Sequence, residues 1–264
     1  FYSAYGHDLR VWEDFDFQKL VTSATLWAAQ KQETLDPRIP RLTYLADTNN
    51  WFHNYEKRRN QLIQQQLKPE ESLNCMVLPD EFEIDLVAHE PDIMNPIDMT
   101  WDDRGRMFVA VTMDYPRIKK EGSDRVLLCE DKDRDGKADS FTTFAEGFSL
   151  ITGMCWVNGG LILAQAPDMF FVKDTDGDDQ ADLYEKINTG WGTNDTHGGP
   201  SNLRYGLDNK IYGCVGGGGY LSGQTRFSGG IWRMEVDGSG FTPISNFGGN
   251  SWGLGISEDF ELFG

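Results

Sequence analysis

The chain has 264 residues, of which 42 are Asp or Glu and 24 are Lys or Arg, so its formal net charge is −18. This acidic excess argues against nucleic acid or an anionic membrane as a partner and suits a protein that binds cations. No apolar run approaches the roughly 18 residues that span a bilayer, so we expect no membrane insertion within this segment. Because the sequence opens on Phe1 and stops within a strand-like run, we expect it to be an excerpt of a longer polypeptide.

Residues 1–31 differ in pattern from everything that follows. A short strand-like run ends at Tyr5, Gly6 and His7, and residues 16–29 repeat apolar side chains every three to four positions, as in an amphipathic helix. One strand and one helix do not form a core, so this α/β piece needs residues from outside the sequence. Residues 32–77 then predict a linker, broken by prolines and containing a polar helix from about Tyr55 to Leu67.

From residue 78 onward the hydrophobic period changes to two and the chain repeats itself about every 50 residues. Each repeat opens with a strand, an Asp/Asn/Gly turn and a second strand, which predicts a hairpin. Third and fourth strands follow in the first three repeats. Four strands in a repeat of this length are typical of a β-propeller blade. We therefore predict a mainly β fold in which residues 78–264 form about three blades and part of a fourth. The opening hairpins are expected at residues 96–109, 151–163, 200–212 and 251–263.

Two acidic loops stand between the third and fourth strands of successive repeats. The first Asp loop (residues 131–139) and the second (residues 174–182) place Asp at relative positions 1, 3, 5 and 9, a spacing that can surround one hard cation. At position 12, where an EF-hand has a bidentate Glu, the first loop has Thr142 and the second has Glu185. The second also has Asp179 where the first has its turn glycine, so it fits the calcium pattern less closely. The predicted Ca²⁺ ligands are Asp131, Asp133, Asp135, Asp139, Asp174, Asp176, Asp178 and Asp182.

A bland interpretation of both loops is that they are solvated acidic turns. Their occurrence twice, each closing on Ala-Asp, favours metal binding instead. Turns at this place in a blade lie towards the rim, so we expect structural rather than catalytic ions.

The cysteines have no spacing typical of a zinc or haem site. Cys129, Cys155 and Cys214 lie in apolar strand-like runs, which favours core packing, whereas Cys75 does not. The sequence leaves a disulfide open without choosing its pairing.

Six segments carry a resemblance to a known family, and they are residues 54–58, 69–72, 82–91, 101–108, 114–116 and 136–139. Together they resemble the membrane-bound dehydrogenase β-propeller family found in Planctomycetes, Verrucomicrobia and Bacteroidetes, which is similar to the soluble quinoprotein glucose/sorbosone dehydrogenases. Residues 1–31 resemble the C-terminal end of a ThuA-like domain, which often precedes this propeller. The resemblance implies a bacterial, periplasmic or cell-surface protein, with other domains of the same polypeptide as partners and a haem only if one of those domains carries it.

The resemblance also implies one chemical candidate. His197 precedes a strand, turn and strand, as the catalytic base histidine of quinoprotein sugar dehydrogenases does, and Asp195 and Arg204 would orient the base or the substrate. Asn250 and Trp252 occupy the equivalent loop of the next blade and are candidates for cofactor binding. An imidazole can accept a hydroxyl proton near neutrality. The alternative for His197 is a hydrogen-bonded loop histidine, and we expect the glycine run (residues 216–219) to be a flexible loop near the same channel.

Two functions remain open. One is a calcium-containing, extracytoplasmic oxidoreductase that acts on a sugar or other alcohol and passes electrons to a quinone, such as pyrroloquinoline quinone, or to a haem domain. The other is a non-catalytic, calcium-stabilised propeller that serves as a binding or assembly module. Propellers host both roles, so the fold alone does not decide between them.

Overall fold

The computed structural model describes residues 67–118, 120–246 and 251–264. The predicted α/β piece at 1–31 and most of the predicted linker helix lie outside this range. Contacts divide the chain into two units, Phe1–Ile84 and Asp85–Gly264. In the first unit, the described residues include helix α1 (Pro69–Leu73), which has Pro at its first turn. No helix among the described residues is long and apolar enough to cross a membrane.

The described part of the second unit contains three four-stranded antiparallel sheets. The strands of the first two sheets are consecutive in the chain, whereas a small hairpin interrupts those of the third. Sheet 1 is formed by β1 (Pro96–Trp101), β2 (Met107–Val111), β3 (Asp124–Glu130) and β4 (Ser140–Phe148). Sheet 2 is formed by β5 (Gly153–Val157), β6 (Gly160–Gln165), β7 (Asp168–Lys173) and β8 (Leu183–Thr189).

Sheet 3 has strands β9 (Pro200–Tyr205), β10 (Ile211–Val215), β13 (Gly230–Met234) and β14 (Thr242–Ser245). A small hairpin of β11 (Tyr220–Ser222) and β12 (Thr225–Phe227) is inserted between β10 and β13. A last hairpin, β15 (Gly255–Ile256) and β16 (Leu262–Phe263), follows sheet 3. This order of four-stranded sheets and an opening hairpin confirms the predicted propeller-like, mainly β fold.

The sheets pack face to face because the middle strands are apolar on both sides. On β6, Leu161 and Leu163 belong to the core between sheets 1 and 2, whereas Ile162 and Ala164 belong to the core between sheets 2 and 3. All four side chains are fully buried. Alternation along a strand explains this division, since successive side chains point to opposite faces. Burial of each large apolar side chain contributes about 1.5–3 kcal/mol, so the two cores hold the three sheets together.

The first strands of the three sheets lie side by side, with β5 packed against both β1 and β9. A backbone N–H of β5, that of Met154, donates to the Asp98 carboxylate of β1 at 2.8 Å. On the other side, Thr152 just before β5 donates its hydroxyl to the carbonyl of Pro200 at the start of β9. The innermost strands are therefore fixed to one another by polar contacts as well as by the apolar cores.

Candidate functional site

His197 lies in the loop between β8 and β9, which we name the His197 loop (residues 190–199). Its Nδ1 atom is 3.6 Å from Asp195 Oδ1, and its backbone N–H donates to the same oxygen at 3.0 Å. The His197 side chain is 61% exposed, so the imidazole is accessible to a ligand. The structure thus brings together two of the three residues predicted for catalysis.

The start of the His197 loop is anchored in the core. Trp191 is buried against Trp232 and Tyr220, with ring centroids 4.8 and 4.7 Å away, and it also forms a β-bridge with Tyr220. Tyr220 begins the inserted hairpin. The loop is therefore attached to that hairpin and to sheet 3 at the point where it leaves β8.

The glycine run at residues 216–219 holds both ends of the same loop. The Gly192 N–H donates to the carbonyl of Gly219 at 3.1 Å, and the carbonyl of Gly198 accepts from the N–H groups of Gly216 and Gly218 at 3.0 and 3.2 Å. The expected flexible loop is instead a hydrogen-bonded support for the residues that carry Asp195 and His197.

Glycine is required in this support because the two backbones approach closely. A Cβ atom on Gly192 would lie 1.8 Å from the carbonyl oxygen of Gly218, and one on Gly198 would lie 2.4 Å from the backbone nitrogen of Gly217. Neither distance is compatible with a side chain. The run of glycines in the sequence therefore reflects close packing beneath the His197 loop rather than a need for motion.

The ring of Tyr115 meets the imidazole of His197 edge to face, with centroids 5.4 Å apart and planes at 85°. Tyr115 comes from the connection between β2 and β3 in sheet 1, whereas His197 precedes sheet 3. Tyr115 is 42% exposed, and its ring flanks one side of the imidazole. Sequence analysis assigned no site role to Tyr115, because nothing local indicates that these two loops meet.

The loop that carries Tyr115 is positioned by Asp124, a carboxylate buried at the start of β3. Asp124 accepts hydrogen bonds from the hydroxyl of Thr112 and the backbone N–H groups of Met113 and Asp114, at 2.7–3.0 Å. It also accepts from the backbone of Leu150 and Ile151, just before sheet 2. The buried carboxylate of Asp124 therefore fixes two segments: the β2–β3 connection, which carries Tyr115, and the segment that leads from sheet 1 to sheet 2.

Arg204, the third predicted catalytic residue, lies elsewhere. It lines a cavity of about 570 Å³ whose other walls are β1, from Pro96 to Trp101. In the described part of the chain, His197 is not among the residues that line this cavity. Of the two residues predicted to bind a cofactor, Trp252 is 44% exposed in the loop after sheet 3, and Asn250 lies outside the described residues.

Sequence reasoning did not identify Asp98, which is the acidic group of this cavity. Its carboxylate accepts the N–H groups of Met154 and Met99 at 2.8 and 2.9 Å. Burial raises the pKa of Asp98 above its usual value, and the two backbone N–H groups and the charge of Arg204 oppose this effect. The only sequence signal was an Asp within a mostly apolar strand.

The two Asp loops join β3 to β4 and β7 to β8, as predicted. In each loop three of the four predicted carboxylates gather, with ligand oxygens within 4.8 Å of one another. The gathered residues are Asp131, Asp133 and Asp139 in the first loop, and Asp174, Asp176 and Asp178 in the second. Asp135 accepts the N–H of Lys137, and Asp182 accepts the N–H and hydroxyl of Thr175, so these two carboxylates brace their loops in the structure.

Despite their different glycine positions, the two loops have the same conformation. Positions 4 and 6 both have positive φ, at Arg134 and Gly136 in the first loop and at Gly177 and Asp179 in the second. In both, the first Asp accepts the N–H groups of positions 4 and 6. A glycine satisfies either left-handed position, so its shift from position 6 to position 4 leaves the second loop equivalent to the first.

Carboxylate oxygens are the ligands that Ca²⁺ prefers, and the clusters contain no soft ligand. Slight burial of Asp174 acts to raise its pKa, but hydrogen bonds from the backbone of Gly177 and Asp179 outweigh it and hold the pKa below its usual value. The hydroxyl of Thr175 likewise lowers the pKa of Asp182. The second loop therefore keeps ionised carboxylates in place and fits a hard divalent cation.

Among solved structures, the chain is similar to the holo form of the pyranose dehydrogenase PQQ domain from Coprinopsis cinerea. The identity is 16% and the TM-score 0.37, and the match covers 48% of this chain and 29% of that one. It is also similar to the calcium structure of a Trichoderma reesei carbohydrate-active enzyme of family AA12, at 14% identity and a TM-score of 0.40, with 54% and 34% covered. A luciferin-regenerating enzyme matches at 9% identity and a TM-score of 0.36, with 53% and 41% covered.

The chain spans about a third of the length of the pyranose dehydrogenase domain and of the family AA12 enzyme. Similarities at this identity and TM-score assign no activity, cofactor or substrate to the chain. No curated protein sequence matches the chain. Residues 68–264 match a family described as a domain of unknown function, DUF7133, and this range includes α1 and all the described strands. The chain therefore belongs to the DUF7133 family.

Proposed function

We propose that this propeller is part of an oxidoreductase that acts on a sugar or another alcohol outside the cytoplasm, with His197 as the base. The observation that carries the proposal is the pairing of His197 with Asp195 on a loop whose two ends are fixed by the glycine run. A catalytic base must be held in place while remaining open to substrate, and the His197 loop meets both requirements.

Oxidation of an alcohol removes the hydroxyl proton and transfers the hydrogen on the neighbouring carbon as hydride, leaving a carbonyl group. His197 would accept the hydroxyl proton at a ring nitrogen. Asp195, 3.6 Å from Nδ1, would orient the ring and stabilise its protonated form. Tyr115, edge-on to the ring, would restrict the imidazole to one side of the open space and form a wall for the substrate.

A quinone, when bound, would accept the hydride, and a haem domain is the alternative destination for the electrons. Of the two residues predicted for a quinone, only Trp252 is described, and one exposed aromatic ring does not define a quinone site. The roles of His197, Asp195 and Tyr115 stated above do not depend on which acceptor is used.

Calcium would have a structural role in this function. The first loop would hold one ion through Asp131, Asp133 and Asp139, and the second would hold another through Asp174, Asp176 and Asp178. Backbone contacts place each loop against preceding structure, since Ala181 donates its N–H to the carbonyl of Phe144 in β4 and Ala138 donates to that of Val87. An ion bound in either loop would therefore stabilise a junction with the preceding segment.

These junction contacts also favour the second candidate function, a non-catalytic propeller whose metal ions only stabilise a binding or assembly module. The two candidates differ in what they require of His197. In the second, the exposed imidazole has no reaction to support, and its replacement leaves the function intact.

The test is dye-linked oxidation by the full-length protein, supplied with Ca²⁺ and pyrroloquinoline quinone, across a panel of sugars and simple alcohols. We expect turnover of at least one substrate and a loss of about 10²–10⁴-fold in kcat for His197→Ala. His89→Ala is the matched control, since His89 is also exposed and its ring nitrogen lies against the carbonyl of the neighbouring Glu90 rather than against a carboxylate. Full activity in His197→Ala, or no turnover of any substrate by the unmodified protein, would reject the catalytic proposal.

A further inference from the structure

Sheet 1 has one face against sheet 2, and among the described residues no second sheet covers its other face. We name this other face the free face of sheet 1. Its buried strand residues are Val109, Val111, Leu127 and Cys129. Met99 of β1 pairs with Val109 and therefore lies on the free face, as does Trp101 two residues further on. Both residues are 52% exposed, so β1 presents large apolar side chains to solvent.

The position equivalent to Met99 is buried in the other two sheets. Met154 of β5 and Leu203 of β9 lie, like Met99, two residues before an aromatic residue at or near the end of the innermost strand. Met154 belongs to the core between sheets 1 and 2, and Leu203 to the core between sheets 2 and 3. Each is 1% exposed. The free face of sheet 1 therefore has the composition of a contact between two sheets.

A backbone hydrogen bond outside the strands indicates where a sheet that covers this face would lie. In the second Asp loop, Ala181 donates its N–H to the carbonyl of Phe144 in β4, the outermost strand of sheet 1, at 2.7 Å. In the first Asp loop, Ala138 donates to the carbonyl of Val87 at 2.9 Å. Val87 therefore has the place that Phe144 has, which is on the outermost strand of the preceding sheet.

The correspondence continues from Val87 to the start of β1. Equivalent residues of the two segments differ by 57 in number, and the pairs are Val87 and Phe144, Ala88 and Ala145, Ile93 and Leu150, and Pro96 and Gly153. The third pair is buried, and the fourth begins β1 and β5. Ala88 packs against the free face of sheet 1, as Ala145 packs in the core between sheets 1 and 2. Residues 85–88 thus correspond to residues 142–145 of β4.

Residues 85–88 differ from β4 in having no strand partner in the described part of the chain. β4 pairs with β3, whereas no described strand pairs with residues 85–88. None of their backbone N–H groups donates to a described residue, and Val87 is 45% exposed. An apolar segment with such N–H groups is a template on which a further strand can add.

We propose that residues 85–88 are the outermost strand of a further four-stranded sheet that covers the free face of sheet 1, and that the three inner strands of this sheet come from another part of the same polypeptide. The last hairpin favours this source. Leu254, just before β15, is buried against sheet 3, so the series of sheets continues beyond sheet 3 in the same chain. A propeller of such sheets closes only when its last sheet packs against its first, and a second copy of the chain would leave it open.

Closure at sheet 1 is independent of any role of His197, so its test does not use catalytic activity. The test is maleimide labelling of the full-length protein with a single cysteine placed on the free face, in a Cys75→Ser background that removes the exposed native thiol. We expect Met99→Cys to react about tenfold or more slowly than Leu207→Cys, because a covering sheet would shield the first thiol. Leu207 is the matched control, since it is 68% exposed on the β9–β10 turn.

Hydrogen exchange of the unmodified full-length protein tests the strand itself. In an outermost antiparallel strand alternate N–H groups are paired, so we expect about half of the amides of residues 85–88 to be protected, as in residues 142–145 of β4. Light scattering should show a monomer under the same conditions, with both kinds of protection unchanged on dilution.

Three results would overturn the proposal. The first is equal reactivity of the thiols at positions 99 and 207, and the second is exchange of residues 85–88 at the rate of an unfolded chain. The third is protection that occurs only in a dimer and is lost on dilution, which would assign the covering sheet to a second copy of the chain.

Discussion

The Nη1 atom of Arg106 lies 2.7 Å from Oδ1 of Asp179, although 73 residues separate the two in the chain. Arg106 follows the turn of the first hairpin of sheet 1, and Asp179 lies within the second Asp loop. The same guanidinium donates from Nε to Asp102 Oδ2 at 2.8 Å. The Arg106 side chain therefore connects the β1–β2 turn of sheet 1 to the second Asp loop of sheet 2.

Replacing Arg106 should loosen this junction. The Arg106 side chain is 19% exposed and that of Asp102 is 2% exposed, so Arg106→Gln leaves a buried carboxylate without its charged partner. We expect the free energy of unfolding to fall by about 1–3 kcal/mol. Urea denaturation measures this change, and Arg226→Gln, an exposed arginine on β12, should differ from the unmodified protein by less than about 0.5 kcal/mol. Equal losses in the two variants would contradict the assigned role.

The Asp102 partner makes the stability of this junction dependent on pH. Burial acts to raise the pKa of Asp102, but hydrogen bonds from the Arg106 side chain and from the backbone of Arg106 and Arg104 outweigh it and lower the pKa. A carboxylate with a lowered pKa stabilises the fold above its unfolded value of about 3.9, and the contribution is lost as the pH falls through the folded value.

The difference in unfolding free energy between the unmodified protein and Asp102→Asn should accordingly be constant at about pH 6–7 and shrink below about pH 4. Chemical denaturation at several pH values measures it. A difference that grows on acidification would show that the ionised form of Asp102 is not the stabilising one.

Calcium should raise the thermal stability of the unit that contains the sheets. At 100 times its dissociation constant, an ion bound to one folded-state site adds about 2.7 kcal/mol, which corresponds to roughly 5–10 °C in Tm. We expect this rise on adding Ca²⁺ to chelator-treated protein, and a smaller rise for Asp131→Asn or Asp174→Asn, which each remove a carboxylate from one cluster.

The matched control for calcium is Asp237→Asn. Asp237 occupies the turn between β13 and β14, the position equivalent to the Asp loops, and accepts the N–H of Ser239 without belonging to either carboxylate cluster. Its replacement should leave the Ca²⁺-dependent part of Tm unchanged. If Ca²⁺ raises Tm equally in all three variants, the ion binds somewhere other than the Asp loops.

The predicted sheets were found because their signals are local. Period-two apolar runs separated by Asp, Asn and Gly turns define each hairpin. The structure has a hairpin at each of the first three predicted segments, although β2, β6 and β10 end at residues 111, 165 and 215 rather than at 109, 163 and 212. The contacts of the candidate sites are not local. Tyr115 reaches His197 from another sheet, and Arg106 reaches Asp179, so no spacing in the sequence indicates either pair.

The glycine run is a feature whose structural role the sequence alone does not determine. Four consecutive glycines are compatible with a flexible loop and equally with two backbones in close contact, and only the tertiary structure distinguishes these cases. The hairpin β11–β12 was missed for a related reason, since each of its strands has three residues and no clear alternation.

Cysteine reactivity tests the packing of the three sheets. All four cysteines are free thiols in the structure, and only Cys75 is exposed. Burial raises the pKa of Cys129 and Cys214 to about 11 and that of Cys155 to about 12. At pH 8 the thiolate form of these three is about one part in a thousand or less, so they should react slowly.

Ellman's reagent should therefore titrate one thiol rapidly in the folded protein and four after denaturation. Cys75→Ser should remove the rapid phase. Two or more rapid thiols in the folded protein, or fewer than four after denaturation without a reductant, would show that the packing or the redox state of the cysteines differs from the structure.

The support beneath the His197 loop can be tested by adding one methyl group. Gly192→Ala places a Cβ 1.8 Å from the carbonyl oxygen of Gly218, so the loop and the glycine run must move apart. We expect a loss of about 1–3 kcal/mol in the free energy of unfolding. We also expect faster hydrogen exchange at the N–H groups of Gly216 and Gly218, which donate to the carbonyl of Gly198.

Gly255→Ala is the matched control, because the nearest heavy atom to its new methyl group would be the Cβ of Phe263 at 3.9 Å, an ordinary contact. It should change neither stability nor exchange at residues 216–219. If Gly192→Ala also leaves that exchange unchanged, the glycine run does not hold the His197 loop. The ordered position of His197 would then have to come from Asp195 and Tyr115 alone.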